Sequence, residues 1–412
     1  MTPFADDRAR RPGSHLERFC LMNRLRALIA TLPFFLLAPN ATSQEVDRPR
    51  ARDLGIEVGI FSPGPWNAIT DVEGVWVGQV TVVEGARVNT GITAIRPHPG
   101  SIYHERVPAA IYVGNGFGKL LGVTQVRELG ELETPILLTC TLCVWKAADA
   151  LVEWALEQEG MERVGSLNAV VGETNDGGLN DIRARPITAA HVREALEVAS
   201  SGPVAEGSVG AGRGTSAFGW KGGIGTSSRV LPESLGGFTV GVLVQSNFGG
   251  ILTMAGAPVG RELGRYSFRQ AVEAGGQDEA DEGQGSIMMV VATDAPLSPL
   301  KLERLARRAI MGLARTGSFA GNGSGDYVIA FSTAAGVRRT LGEEWTESVE
   351  VPNSGLSALF EGTVEATEEA IYNSLLKATT VSGMGRTVEA IDVEAVTRIL
   401  EKYNAVRPPV RQ

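Results

Sequence analysis

The chain is poor in the residues from which most metal sites and many catalytic sites are built. Its 412 residues include four histidines and three cysteines. Zinc sites take clustered imidazoles and thiolates, so no metal centre is expected, and no cofactor is expected either. His98, His104 and His191 fall in no recognisable catalytic motif. Basic residues number 38 against 47 acidic ones, a formal net charge of −9. Nucleic acids and anionic lipid surfaces are held by basic patches, so neither nucleic acid nor membrane is expected as a partner. After residue 43 no apolar run approaches the roughly 20 residues that a membrane-spanning helix needs.

The N-terminus does carry an apolar run, but a short one. Arg24 and Arg26 precede it, residues 27–38 form it, and Ala41 and Ser43 supply small residues before Gln44. That order reads as a secretory signal at residues 22–43. The alternative is an amphipathic N-terminal helix. Residues 1–43 are therefore read as an N-terminal extension and signal, Met22 as the start, and the mature protein as exported to the periplasm. Cys20 would then be lost. Cys140 and Cys143 form a Cys-x-x-Cys that an oxidising compartment would permit to bond; the simpler reading is two small buried residues at a strand-to-helix junction.

What the chain does have is a normal apolar share of 43% and an excess of glycine, 51 residues. The first calls for a packed core, the second for tight turns and close backbone approaches. Runs such as "GVWVGQVTV", "NTGITAI", "PAAIYVGNG" and "TPILLT" read as strands. Apolar periodicity predicts helices over 144–157, 187–200, 298–315, 357–377 and 393–403, the third opened by Ser298 and Pro299. Strands return at "GFTVGVLVQSN", "SIMMVVATD" and "DYVIAFST". No repeat or linker divides the chain, so a layered α/β sandwich follows.

One junction stands out. Residues 275–285, "GGQDEADEGQG", carry four acids and no base and read as a mobile surface loop. Ser286 then opens a run that is apolar on both faces, as a central strand is. If the Gly285–Ser286 bond were cut, Ser286 would carry a hydroxyl and a free α-amine of pKa near 8, nucleophile and base in one residue. That chemistry needs no histidine. If the strands at 286–294 and 327–332 are parallel around the helix at 298–315, "GNGSGD" brings Ser324 and Asp326 to the same sheet edge. If "TVGVLVQSN" runs antiparallel to them, the Asn247 amide reaches that edge as an oxyanion donor. The plainer readings are a strand start, a glycine turn and a strand-end turn. Other signatures fail. No Gly-x-Ser-x-Gly elbow exists, Ser374-x-x-Lys377 lacks its companion motif, and "GNGFGK" and "GAGRGT" are incomplete phosphate loops, better read as glycine turns lining a cleft.

Seven stretches between Trp66 and Arg386 now join in order. They are "NAITDVEGVWVGQVTV", "GNGFGKLLGVTQVRELGELETPI", "VGETNDGGLNDI", "GAGRGTSAFGWKGGIGTSSR", "GVLVQSNFG", "GSIMMVVATDAPLSP" and "GNGSGDYVIAFSTA". Together they resemble the DmpA/BapA-type family of self-processing L-aminopeptidase/D-esterase-amidases and β-peptidyl aminopeptidases. The resemblance implies a four-layer αββα sandwich similar to N-terminal-nucleophile hydrolases but differently connected. It implies autocleavage into an α chain, residues 44–285, and a β chain, residues 286–412, that stay associated as one catalytic domain. A homo-oligomer of such units is expected. Gly285–Ser286 matches the processed bond, Ser286 the nucleophile, Ser324 and Asp326 its supporting pair, and Asn247 the oxyanion-hole asparagine. A site tyrosine is implied near "NDGGLND", where this chain has Gly178. Glu173 and Asp176 in that stretch could hold a substrate ammonium or form a structural turn. The expected substrate is a small peptide, amide or ester with a free amine. An acetyltransferase similar to the ornithine acetyltransferases would need a threonine nucleophile; a non-enzymatic periplasmic binding protein would remain one intact chain.

Overall fold

A computed structural model describes residues 48–274, 285–345 and 347–406. The expected signal and the acidic stretch at 275–284 lie outside the described residues. Residues 47–412 form one compact unit. Its long strands are β1 (Trp76–Glu84), β2 (Val88–Arg96), β3 (Glu105–Gly116), β4 (Ile136–Cys140), β5 (Val170–Thr174), β6 (Gly223–Val230), β7 (Thr239–Asn247), β8 (Gly285–Thr293) and β9 (Ser324–Ser332). The long helices are α1 (Val144–Leu156), α2 (Ala189–Glu197), α3 (Pro299–Arg315), α4 (Leu356–Leu376) and α5 (Val393–Lys402). The five helices predicted from periodicity are all present, with ends within a few residues of expectation.

Two sheets stack face to face. The smaller has five strands in the order β1-β2-β4-β5 with Leu120–Leu121 at the edge, and the larger has seven, centred on β6-β7-β8-β9-β3. Between them lies one apolar layer, in which Val77, Ile95, Leu138 and Val170 of the small sheet meet Leu243, Met288, Val290 and Ile329 of the large. On the outer face of the large sheet, α3 and α4 bury Leu302, Leu305, Ala370 and Ile371 against Val242, Met289 and Val291. On the outer face of the small sheet, α1 and α2 cover Ile92, Leu137 and Val171 with Ala147, Leu151, Val192 and Leu196. The result is the expected αββα sandwich. It explains why β8 is apolar on both faces: its side chains alternate between the helix layer and the facing sheet.

Pairing around β8 decides the site. β7 runs antiparallel to it with Asn247 opposite Ser286, and β9 runs parallel with Gly325 opposite Ser286. Both conditions posed by the sequence are therefore met. One boundary differs. "GNGSGD" is not wholly a turn, because β9 begins at Ser324 and pairs it with Gly285. Glycines hid this from periodicity, yet they allow it, since Gly325 fits between β8 and the Phe117–Gly118 backbone, where a Cβ would lie 2.9 Å from the Phe117 oxygen.

A buried ion network anchors the helix layer. Arg229 of β6 reaches Glu365 at 2.9 Å and Glu369 at 2.7 Å, all three fully buried. Glu365 also accepts the N–H of Ile60 and of Phe61, which ties the N-terminal segment onto α4. The Ser374 hydroxyl donates to that of Ser246 inside the core, a structural use that disposes of the Ser-x-x-Lys match. Cys140 and Cys143 are joined in a disulfide at the end of β4. Among the described residues no helix is long and apolar enough to cross a membrane.

Candidate active site

Ser286 sits near the N-terminal end of β8, at the floor of a cleft of about 420 Å³. Its hydroxyl lies 2.6 Å from the carbonyl oxygen of Gly285 and donates to it. From the other side the N–H of Gly325 donates to the same hydroxyl at 3.3 Å. Gly285 has φ +148°, and a Cβ there would lie 2.1 Å from the Asn247 carbonyl oxygen. Only glycine satisfies both conditions, so the residue before the serine is fixed by packing as well as by any chemistry.

Ser324 and Asp326 stand beside Ser286 on the parallel strand. The Ser324 hydroxyl donates to Asp326 Oδ1 at 2.6 Å, and both side chains are buried. The other carboxylate oxygen, Oδ2, has no hydrogen-bond partner among the described residues. Burial pushes the Asp326 carboxyl up to about 6, partly offset by the Ser324 hydrogen bond. Asn115 clamps the preceding turn by donating to the carbonyls of Gly321, Asn322 and Ser324.

Asn247 closes the opposite side. Its Oδ1 accepts the Ser216 N–H at 3.0 Å and its Nδ2 donates to the Asn175 carbonyl at 3.1 Å. These two bonds fix which way the amide faces. An amide nitrogen has two hydrogens, so one remains for the cleft that Asn247 lines.

Glu173 and Asp176 separate in the structure. Glu173 is the next-to-last residue of β5 and lines the cleft. Its Oε1 accepts the Lys119 backbone N–H at 3.0 Å and pairs with Lys119 Nζ at 3.3 Å, while Oε2 has no hydrogen-bond partner among the described residues. Asp176 lies behind the cleft wall, 1% exposed, accepting from Asn180 at 3.0 Å. Burial pushes its carboxyl up to about 6 as well. Among the described residues no tyrosine lines the cleft, whose aromatic members are Phe117 and Phe248. Tyr327 lies just beneath, its phenol pushed up by burial and by the Glu173 and Asp326 carboxylates.

Ser286 is thus flanked by a buried Ser–Asp pair and an oriented asparagine, with no histidine among them. The profile of peptidase family S58 matches residues 67–388. The chain belongs to that family. It is a hydrolase of the aminopeptidase type with an N-terminal-nucleophile-like fold. It is 41% identical over 379 residues to "Beta-peptidyl aminopeptidase BapA" of Sphingosinicella microcystinivorans, covering 88% of this chain and 94% of that one. A Burkholderia sp. β-aminopeptidase structure superposes with TM-score 0.78 at 41% identity, covering 87% of this chain and 100% of that one. The L-aminopeptidase D-Ala-esterase/amidase of Ochrobactrum anthropi, described as a new variant among the Ntn hydrolase fold, superposes with TM-score 0.78 at 38% identity, with 87% and 100% coverage.

In this S58 chain several cleft residues carry no sequence signal of their own. The Gly325 N–H acts through the backbone, and Ser216 contributes only its N–H. Lys119 and Arg386 are single cations far apart in sequence. The glycines of "GNGFGK" gave a partial cue, since Phe117 and Lys119 do line the cleft.

Proposed function

We propose that this protein is an exported, self-processing serine aminopeptidase that releases N-terminal residues from small peptides, amides or esters through an acyl-enzyme on Ser286. The observation that carries the reading is the 2.6 Å approach of the Ser286 hydroxyl to the Gly285 carbonyl group, at a strand junction held on both sides. In processing, Ser286 Oγ attacks the Gly285 carbonyl carbon and its proton passes to the Ser286 nitrogen. The Gly285–Ser286 C–N bond breaks, the nitrogen leaves as an amine, and an ester forms. Water hydrolyses the ester to a Gly285 carboxylate and a free Ser286 hydroxyl.

Turnover repeats the chemistry on a substrate. The new α-amine takes the Oγ proton as Oγ attacks the substrate carbonyl, then hands it to the leaving amine; water deacylates the enzyme. Asn247 Nδ2 stabilises the oxyanion, which is the role such preorganised donors fill. Ser324 and Asp326 orient the amine. Glu173 Oε2 takes the substrate ammonium by a charge-assisted bond, and Asp176 supports the loop that carries it. The Cys140–Cys143 disulfide supports export, because such bonds persist in oxidising compartments.

The test is a panel of α-L-, β- and D-configured amides, each with a free and an N-acetylated amine. Free-amine substrates should react at least about 10²-fold faster. Equal rates on both would leave a general amidase or esterase and sink the aminopeptidase assignment.

A further inference from the structure

The cleft around Ser286 has three charged side chains in its lining, Lys119, Glu173 and Arg386. Two of them are paired through a single oxygen: Lys119 Nζ lies 3.3 Å from Glu173 Oε1 and donates to Thr141 at 2.7 Å, while Glu173 Oε2 has no hydrogen-bond partner among the described residues. Arg386 is left over. Its guanidinium makes no hydrogen bond or ion pair with any described residue, although it projects into the cleft of a protein with a formal net charge of −9.

Its placement is built. Arg386 opens the second strand of a hairpin, Val381–Gly383 and Arg386–Val388, and pairs with Gly383. The two turn residues, Met384 and Gly385, both have positive φ, +51° and +74°, as a tight two-residue loop requires. The hairpin is clamped to the cleft wall. Met384 N–H donates to the Ala86 carbonyl at 2.9 Å, and Asn89 Nδ2 donates to the Ser382 carbonyl at 3.3 Å. Gly383 packs so closely on the Leu179 backbone that a Cβ would lie 2.2 Å from its oxygen. On that wall Gly178 leaves room: the position of its missing Cβ is 3.7 Å from Arg386 Nη1. The guanidinium therefore lies beside Gly178, four residues beyond the end of β5, the strand that carries Glu173.

We infer that Arg386 binds the free carboxylate of the substrate's leaving group, so that the cleft selects zwitterionic short peptides, dipeptides above all. This deepens the aminopeptidase reading and rests on it. A planar guanidinium matches a carboxylate with two parallel hydrogen bonds. A dipeptide presents its ammonium and its carboxylate on opposite sides of the one scissile bond. Glu173 and Arg386 supply opposite charges within one cleft, so a dipeptide satisfies both, whereas a longer peptide or an amide meets only the first. In a protein of formal net charge −9, a guanidinium unpaired among the described residues gives the cleft a local preference for a carboxylate.

The experiment compares alanyl-alanine with alanyl-alaninamide, and β-alanyl-alanine with its carboxamide, on fully processed wild type, Arg386→Gln and Arg386→Glu. Electrophoresis first confirms that each variant is processed, and so folded. Wild type should prefer the free acid by about tenfold in kcat/KM, the size of one charge-assisted contact, with the difference in KM and fading as salt is raised. Arg386→Gln should bring the acid-to-carboxamide ratio to about one, and Arg386→Glu should invert it. A wild-type ratio near one, or a ratio that Arg386→Gln and Arg386→Glu leave unchanged, overturns the inference while the aminopeptidase reading stands. Failure of wild type to cleave either the acids or the carboxamides overturns both.

Discussion

Replacing Asp326 by asparagine should make the protein more stable at neutral pH while abolishing its use of Ser286. Burial raises the Asp326 carboxyl from 3.8 to about 6. The folded state therefore holds this proton more tightly than the unfolded chain does. Stability from this group is greatest below pH 4, declines between about pH 4 and 6, and stays low above. A shift of about two units at 1.36 kcal/mol each comes to about 3 kcal/mol. Asparagine keeps the size and the oxygen that accepts from Ser324 but does not titrate. The comparison is best made in a Ser286→Ala background, where neither chain can process. Asp326→Asn should then melt a few degrees higher than its parent at pH 8, with the difference shrinking through pH 6 and gone by pH 4. A Tm difference that is the same at pH 4.5 and pH 8 would refute the argument, because it would show that Asp326 does not carry a raised pKa in the folded protein.

Three further outcomes follow from the same geometry. Ser324→Ala should fold and bind substrate but lose about 10²-fold in kcat, the usual scale for one preorganised group; unchanged turnover removes Ser324 from the site. The acid limb of kcat/KM in processed enzyme should report the Ser286 amine, with activity rising as that amine loses its proton toward the ordinary value near 8; a profile flat from pH 6 to 9 contradicts its role as base. Gly285→Ala places a methyl against the Asn247 carbonyl at a backbone angle that disfavours any side chain, so processing should slow by at least about 10²-fold, followed as the fraction of intact chain over time, and full processing at the wild-type rate would show that the junction tolerates a shift.

Much of the arrangement around Ser286 is legible in the sequence. The junction at Ser286 is legible because a glycine-rich acidic stretch gives way abruptly to a run apolar on both faces, which only a central strand between two layers accommodates. The edge shared by Ser324, Asp326 and Asn247 is legible because a β-α-β unit forces parallel strands and a neighbouring strand supplies the third residue. β9 starts earlier than its apolar run predicts because glycines carry no hydrophobic period, and Gly325 leaves room for the Phe117–Gly118 backbone where Ser324 through Asp326 pair with β8. Glu173 and Asp176 were indistinguishable in "GETND". Their separation into cleft and wall depends on where β5 ends and on Asn180 folding back onto Asp176. The Arg386 hairpin was invisible, since its approach to Gly178 links positions about two hundred residues apart. Donors that act through the backbone, such as the N–H groups of Gly325 and Ser216, leave no mark on residue type.

The most direct measurement is the mass and N-terminal sequence of the purified fragments of wild type and Ser286→Ala. The account predicts two associated fragments for wild type, the second starting Ser-Ile-Met-Met at Ser286, with activity appearing as they form, and one intact, inactive chain for Ser286→Ala. A wild-type chain that is fully active while uncut, or a Ser286→Ala protein that is both processed and active, would contradict it.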